Sequence, residues 1–196
     1  KHEDLRYSLG SELVLLGLKA SEQLDVKELS ASHLSYLKET LNETAALAIW
    51  GAQGPFFLRW EESDRVVNIG VRAGSQVSIV KSAPGRLFAA FLPEEKTAEL
   101  VRAELEKYGM DAEAFYEDIR RVRENGVAIS QGTLIPGISA ISCPVFGQNG
   151  EIVAAITVVG LSGVLDVGLD SETVKLVKEQ CRLLSGSLGY KQTVGK

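Results

Sequence analysis

The stretch from Gly126 to Leu161 constrains the fold of this chain more than any other part of the sequence. It contains three apolar runs of strand length, and glycine and asparagine residues stand between them where turns are needed. The sequence therefore predicts three successive strands joined by short connections.

The last two of these strands sort their side chains by size. Alternate residues of a strand share a face, so Ala140 and Ser142 lie on one side of the middle strand. Ala155, Thr157 and Val159 likewise share one side of the last strand. A face of small residues leaves a volume that a helix, a partner layer or a ligand must fill. Considered alone, these residues favour a closely packed helix over a ligand cavity, and both alternatives stay open.

Helical and alternating patterns divide the rest of the chain into blocks of helices and blocks of strands. The order is two helices, four strands, three helices, the three strands described above and one last helix. Because the strands occur in groups, this order predicts an α+β fold, with helices packed on a mostly antiparallel sheet of about six strands. The predicted elements outside the three-strand region are helices at about 8–23, 26–42 and 83–91, two helices between Ala98 and Asn125, a last helix capped by Asp170, and strands at 45–50, 56–60, 66–71 and 77–80.

The charge balance argues against nucleic-acid binding by this chain itself. The 196 residues carry a formal net charge of −5, whereas contacts with phosphates need clustered lysine and arginine. No apolar run approaches the roughly 20 residues of a membrane span, and no signal peptide precedes the first predicted helix. We therefore expect a cytoplasmic protein that does not bind membranes.

Patterns typical of catalytic and metal sites are absent from the sequence. The two histidines, His2 and His33, have no cysteine or carboxylate at triad or ligand spacing. Neither a phosphate-binding P-loop nor a dinucleotide fingerprint occurs. Cys143 and Cys181 lie within apolar patterns, which is typical of small buried side chains and not of a disulfide. The sequence therefore predicts no enzyme, no metal and no cofactor.

The turn from Ser82 to Arg86 predicts a helix start with Ser82 as the N-cap. The unpaired N–H groups of such a helix end can receive a carboxylate or a phosphate, although Pro84 removes one of them. The hydroxyls of Ser130 and Thr157 can add a polar end to an otherwise apolar cavity. An ordinary capped helix without any ligand is the alternative.

Four passages, Tyr7–Gly10, Ser82–Arg86, Ile119–Ser130 and Gly137–Gly160, together span nearly the whole chain. They resemble the effector-binding domain of the IclR family of bacterial transcriptional regulators. Tyr7–Gly10 is similar to the family's junction after a winged helix-turn-helix domain. Ser82–Arg86 resembles its Thr/Ser-Ala-x-Gly-Lys/Arg helix start. Ile119–Ser130 resembles its Ile-Arg…Gly-Tyr-Ala-x-Ser segment, and Gly137–Gly160 resembles its Gly-Val…Ala-Pro-Val-Phe…Gly…Ala-Ala-x-Ser-x-x-Gly pattern.

The resemblance implies a GAF-like sheet that holds a small-molecule effector, which is an organic, aromatic or sugar acid. It also implies a homodimer or homotetramer, and DNA binding only through an N-terminal domain that precedes this chain. Residues 1–24 would form a linker and dimerisation helix, and residues 25–196 the effector-binding domain. With the resemblance, a ligand cavity is favoured over plain helix packing. The predicted ligand-binding residues are Ile69, Val77, Ala83, Pro84, Ser130, Ala140, Ser142, Thr157 and Val159.

Three positions depart from the family's pattern. Val127 stands where a tyrosine is usual, Pro84 where a small residue with an N–H is common, and Val159 where some members have serine. The last two departures predict fewer hydrogen-bond donors and a less polar ligand. Two other functions stay open: a GAF-type enzyme that acts on a small oxidised metabolite through Cys143, and a pure dimerisation module with a collapsed pocket.

Overall fold

The computed structural model describes Leu16, residues 25–65 and residues 74–191. Within these residues the chain forms an antiparallel five-stranded sheet with the strand order β2-β1-β5-β4-β3. The predicted α+β class is confirmed, and the described sheet has one strand fewer than the expected six. The strands are β1 (Thr44–Gly51), β2 (Gly54–Glu61), β3 (Ala128–Gln131), β4 (Ile138–Phe146) and β5 (Ile152–Leu161).

Helices cover both faces of the sheet. Two of them, α1 (Asp25–Leu41) and α5 (Glu172–Ser187), pack on one face around Leu47, Ile141 and Ile156. On the other face α2 (Ala83–Phe91) packs directly on the strands, and α3 (Glu94–Tyr108) and α4 (Ala112–Asn125) complete the second core. In the described part of the chain, no helix is long and apolar enough to cross a membrane.

Two local predictions are wrong. The segment 77–80 forms no strand, because it turns into α2: the backbone N–H of Ser82 donates to the carbonyl oxygen of Ser78 at 3.2 Å. The N-cap of α5 is Ser171 and not Asp170, since the Ser171 hydroxyl accepts from the backbone N–H of Val174 at 3.2 Å. The helix predicted at 8–23 and the strand predicted at 66–71 lie outside the described residues, except for Leu16, which is helical.

The small residues predicted on one face form continuous rows across the sheet. Paired residues share a face, and the register pairs Ala140 with Val159 and Ser142 with Thr157. Helix α2 lies on these rows and buries Ala83, Leu87, Phe88 and Ala90 against them or the adjoining helices. The rows extend into β1 and β3 through the pairs Ala46–Thr157, Ala48–Ala155, Ala128–Ser142 and Ser130–Ala140.

Strand β3 covers only part of the outer side of β4. Its pairing with β4 spans Ser139 to Ser142, so the following four residues of β4 have no β3 partner. On this side the backbone N–H of Phe146 donates to the hydroxyl of Ser185 at 2.9 Å. Pro144, two residues earlier, has no N–H at all.

Gly85 sets how closely α2 approaches the turn that precedes it. A Cβ atom at this position would lie 2.3 Å from the carbonyl oxygen of Ser78 and 2.6 Å from the Cα atom of Ile79. Both obstacles are backbone atoms, which cannot rotate away as a side chain can. Glycine is therefore needed here for space, and α2 can start close to the turn at Ile79 only because Gly85 has no side chain.

We expect Gly85→Ala to lower the free energy of unfolding by about 1–3 kcal/mol, because the added methyl group forces α2 away from Ile79. The matched control is Gly186→Ala in α5, where a Cβ atom meets nothing within 4 Å. That change should instead raise the free energy of unfolding by roughly 0.5–1 kcal/mol through helix propensity. Urea denaturation measures both, and effects of the same sign would contradict the steric role of Gly85.

Candidate functional site

A cavity lies between the N-terminal end of α2 and the small-residue face of the sheet. Its volume is about 50 Å³. Ligand pockets commonly measure about 300–1,000 Å³, so this one is narrow. The described residues that line it are Phe57, Val77, Ser82, Ala83, Pro84, Ser130, Leu134, Ile135, Ile138, Ala140, Thr157 and Val159.

The structure brings most of the sequence-predicted positions together around this cavity. Ser142 is one that does not line it: this residue is fully buried, and its hydroxyl lies 3.0 Å from the hydroxyl of Thr157, a residue that does line the cavity. Ile69 lies outside the described residues. The seven predicted residues that line the cavity are Val77, Ala83, Pro84, Ser130, Ala140, Thr157 and Val159.

The sequence reasoning missed five lining residues, namely Phe57, Ser82, Leu134, Ile135 and Ile138. Leu134 and Ile135 have a recognisable signal, because two apolar side chains stand in a short loop between glycines. That loop connects β3 to β4, and its two side chains are 42% and 41% exposed although they are large and apolar. Both side chains also line the cavity, and this contact accounts for the two large apolar residues in the loop.

The loop of residues 132–137 is held over the cavity by a short chain of hydrogen bonds. The Thr133 hydroxyl donates to the carbonyl oxygen of Lys81 at 2.8 Å, just before α2 begins. The Ser130 hydroxyl lies 2.6 Å from the Thr133 hydroxyl and 3.5 Å from the same carbonyl oxygen, and it donates to Thr133 when Thr133 donates to Lys81. Gly132 and Gly137 bound the loop with φ angles of 69° and 79°, a region that glycine adopts without strain.

The N-terminal end of α2 offers few donors to a ligand. Ser82 is the predicted N-cap, and its hydroxyl accepts from the backbone N–H of Gly85 at 2.9 Å and donates to the Ser78 carbonyl at 2.6 Å. Pro84 contributes no N–H. Within the first turn, Ala83 is left as the backbone position that can present an N–H to the cavity.

Arg86, the cation of the Ser82–Arg86 motif, connects elements of the domain to one another. The Arg86 guanidinium forms an ion pair with Asp118 of α4 at 2.7 Å and donates to the carbonyl oxygen of Ile129 in β3. Its side chain is only 12% exposed and does not line the cavity. Arg86 therefore joins α2 to α4 and β3, which fixes the helix against the sheet.

A polar groove adjoins the cavity on the side of the loop. Val77, Leu134 and Ile135 line both spaces. The groove has a volume of about 530 Å³, and Glu104 in its wall accepts from the Ser78 hydroxyl at 2.5 Å. The ammonium group of Lys81 lies 3.9 Å from the centre of the Tyr108 ring, another residue of this groove. The apolar cavity thus opens toward a region that contains both signs of charge.

Cys143 belongs to the core on the opposite face of the sheet. Its side chain is 1% exposed, and its carbonyl oxygen accepts from the thiol of Cys181 at 3.4 Å. Burial raises the pKa of the Cys181 thiol well above its ordinary value, so that thiol stays protonated at neutral pH. These contacts are those of packed side chains, and they place neither thiol in the cavity described above.

Comparison with known proteins assigns the family. A family model described as "Bacterial transcriptional regulator IclR C-terminal" matches residues 18–185. The chain belongs to the IclR family. It matches this family's C-terminal domain over most of its length, and the relatives named below are transcriptional regulators rather than enzymes.

Relatives of known sequence match a large part of this IclR-family chain. It is 23% identical over 159 residues to the uncharacterized HTH-type transcriptional regulator RhmR of Escherichia coli, which covers 79% of the chain and 61% of RhmR. It is also 23% identical over 189 residues to the HTH-type transcriptional regulator KipR of Bacillus subtilis, which covers 94% of the chain and 76% of KipR. The chain thus spans only part of the length of these regulators.

Solved structures share the fold. The crystal structure of Pseudomonas aeruginosa HmgR matches with a TM-score of 0.82 and 34% identity, over 98% of this chain and 79% of HmgR. The Thermotoga maritima IclR structure matches with a TM-score of 0.78 and 21% identity, over 97% of this chain and 79% of that protein. The similarity to HmgR also supports the family assignment.

We expect Thr133→Val to loosen the loop over the cavity, because it removes the hydroxyl that bonds to the Lys81 carbonyl. The loss of a hydrogen bond worth about 1 kcal/mol makes local opening roughly fivefold more favourable, so amides whose exchange follows this opening equilibrium exchange roughly fivefold faster. Hydrogen exchange should show this at Gly132 and Ile138, whose N–H groups bond to carbonyls of Ile138 and Ile135. Thr173→Val in α5, on the other face of the sheet, is the matched control. Unchanged exchange at both amides would contradict the role of Thr133.

Proposed function

We propose that this chain is the ligand-sensing domain of a bacterial transcription regulator, and that its effector binds in the cavity at the N-terminal end of α2. The observation that carries the proposal is the position of the cavity. It lies where seven residues predicted from the sequence to contact an effector meet, on three strands, one helix end and the segment before that helix. Membership of the IclR family supports the regulatory role.

The effector class follows from the family resemblance and from the size of the cavity. The resemblance points to a small organic, aromatic or sugar acid. A cavity of about 50 Å³ must widen to take even a small molecule of this kind. The loop of residues 132–137 and the start of α2 form its wall, so binding would shift the positions of these two segments.

The regulatory output would come from a shift between preexisting states of the protein. A ligand favours one state only to the extent that it binds that state more tightly. DNA binding would reside in an N-terminal domain of the full-length regulator, in agreement with the net charge of −5 of this chain. The protein would act in the cytoplasm as a homodimer or homotetramer.

Thermal unfolding with a panel of aliphatic, aromatic and sugar acids at millimolar concentration tests whether the domain binds a ligand. A ligand present at 100 times its Kd raises the free energy of unfolding by about 2.7 kcal/mol and therefore raises the Tm. Val159→Phe should abolish that rise, because the larger side chain fills the cavity. Val164→Phe is the matched control, since Val164 is 54% exposed and does not line the cavity.

A Tm rise that survives Val159→Phe would place the effector elsewhere in the molecule. If no acid of the panel raises the Tm of the unaltered chain, the pure dimerisation module becomes the better account. Circular dichroism of Val159→Phe must first show a folded protein, because overpacking costs about 1–3 kcal/mol. Ala140→Val, a smaller change in the same wall, provides a second test if the phenylalanine variant unfolds.

We also propose that residues 1–24 carry part of the homo-oligomer contact. The sequence of this segment has leucines and valine on more than one side of a helical pattern, which is typical of a helix buried on two sides. Sedimentation of the chain with and without residues 1–24 should show a lower mass for the shorter form. An unchanged mass would remove this segment from the contact.

A further inference from the structure

We infer that the part of the effector that the cavity encloses is an uncharged, apolar group such as an aromatic ring, and that a carboxylate of the effector stays at the mouth, beside the polar groove. This inference rests on the proposed function of the same cavity. It narrows the effector class, since it disfavours sugar acids and small oxo acids such as glyoxylate, which have no apolar body to bury.

The first argument comes from the side chains of the wall. Among the described residues no charged side chain lines the cavity. Arg86 is paired with Asp118 and bonded to the Ile129 carbonyl, and the ammonium group of Lys81 stands 3.9 Å from the centre of the Tyr108 ring. A carboxylate enclosed here would therefore lose its hydration without gaining a counter-ion, which is strongly unfavourable.

The second argument comes from the hydroxyl groups. The Ser82 hydroxyl proton goes to the Ser78 carbonyl, and the Ser130 proton goes to Thr133 or to the Lys81 carbonyl. Thr157 shares a hydrogen bond with Ser142, so it has a proton for a ligand only when Ser142 is the donor. The hydroxyls of the wall thus supply one neutral donor, whereas a buried carboxylate is stabilised by two or three.

The third argument comes from the backbone at the start of α2. A helix N-terminus binds anions through its unpaired N–H groups. Here Pro84 has no N–H, and the N–H of Gly85 is bonded to the Ser82 hydroxyl at 2.9 Å. The N–H of Ala83 is therefore the one donor that the first turn leaves to the cavity, and the rest of the helix end contributes apolar surface from Ala83 and the proline ring.

The mouth of the cavity differs from its interior. Leu134 and Ile135 separate the cavity from the groove, and on the groove side lie Gln76, Ser78, Glu104 and Tyr108. The Lys81 ammonium group stands 3.9 Å from the Tyr108 ring centre. A carboxylate that reaches this region remains hydrated, so it no longer carries the cost of burial. The charged groups near it there are the Glu104 carboxylate in the groove wall and the Lys81 ammonium group beside the Tyr108 ring.

The test is a series of three acids with a phenyl ring and a carboxylate at increasing distance, each paired with its neutral amide. The acids are benzoate, phenylacetate and 3-phenylpropionate, and titration calorimetry gives Kd for all six compounds and for glyoxylate. We expect benzamide to bind about tenfold more tightly than benzoate, because only benzoate loses the hydration of a charged group when it enters the cavity. This ratio should fall toward one along the series as the carboxylate reaches the mouth.

A variant with a new donor tests the cause of that ratio. Val159→Ser places a hydroxyl in the cavity wall and should lower the Kd ratio of benzoate to benzamide by about tenfold, since hydrogen bonds to a charged group are the stronger ones. Val164→Ser, the same change at an exposed position outside the cavity, should leave the ratio unchanged. The ratio cancels any general loss of affinity or stability that the variant causes.

Three results would overturn the inference: tighter binding of benzoate than of benzamide, a ratio that stays constant along the series, or binding of glyoxylate as tight as that of benzamide. In each of these cases the cavity binds a ligand, so the proposed function stands. Failure of every amide to bind at millimolar concentration also overturns the inference. The proposed function then fails only if the full acid panel gives no rise in Tm either.

Discussion

The close contact between the start of α2 and the sheet is the constraint on which the rest of this domain depends. It needs two things at once: a face of small residues on β1, β3, β4 and β5, and a helix start without a side chain at Gly85. The first lets the helix approach the strands, and the second lets it approach the turn at Ile79. The ion pair of Arg86 with Asp118 then holds the helix in this position.

The cavity results from the same contact between α2 and the small-residue face of the sheet. Along most of its length α2 fills the space above the small residues with Leu87, Phe88 and Ala90. At its N-terminal end the helix presents only Ala83 and Pro84, which are too short to reach the sheet. The helix and the cavity, which the sequence alone left as alternatives, are thus two parts of one interface.

The sequence predicted the fold well where local pattern decides it. The hairpin of β1 and β2, the three strands of 126–161 and the helices from Ser82 onward follow from apolar periodicity and cap residues. The prediction of a strand at 77–80 is wrong because its apolar residues are buried in a turn. An apolar run in the sequence does not distinguish a buried turn from a buried strand. The cap at Ser171 rather than Asp170 depends on a one-residue shift that periodicity does not resolve.

The candidate site was predictable only in part, for a physical reason. Residues on strand faces, such as Ala140, Thr157 and Val159, follow from alternation, and the resemblance added Val77 and Pro84. Ser142 shares their face and pairs with Thr157, but it is fully buried and does not line the cavity. Leu134 and Ile135 reach the cavity from a loop, whose path depends on the Thr133 contact with Lys81 and not on any repeat in the sequence.

The short length of β3 has a consequence for the behaviour of the domain in solution. An unpaired strand edge invites strands of other molecules to add to it, which is a common start of aggregation. Backbone N–H groups of alternate residues point to the same side of a strand. On the open side of β4, Pro144 has no N–H and that of Phe146 is already bonded to Ser185. This edge therefore offers no free donor to an incoming strand, so the sheet can end there without recruiting another copy.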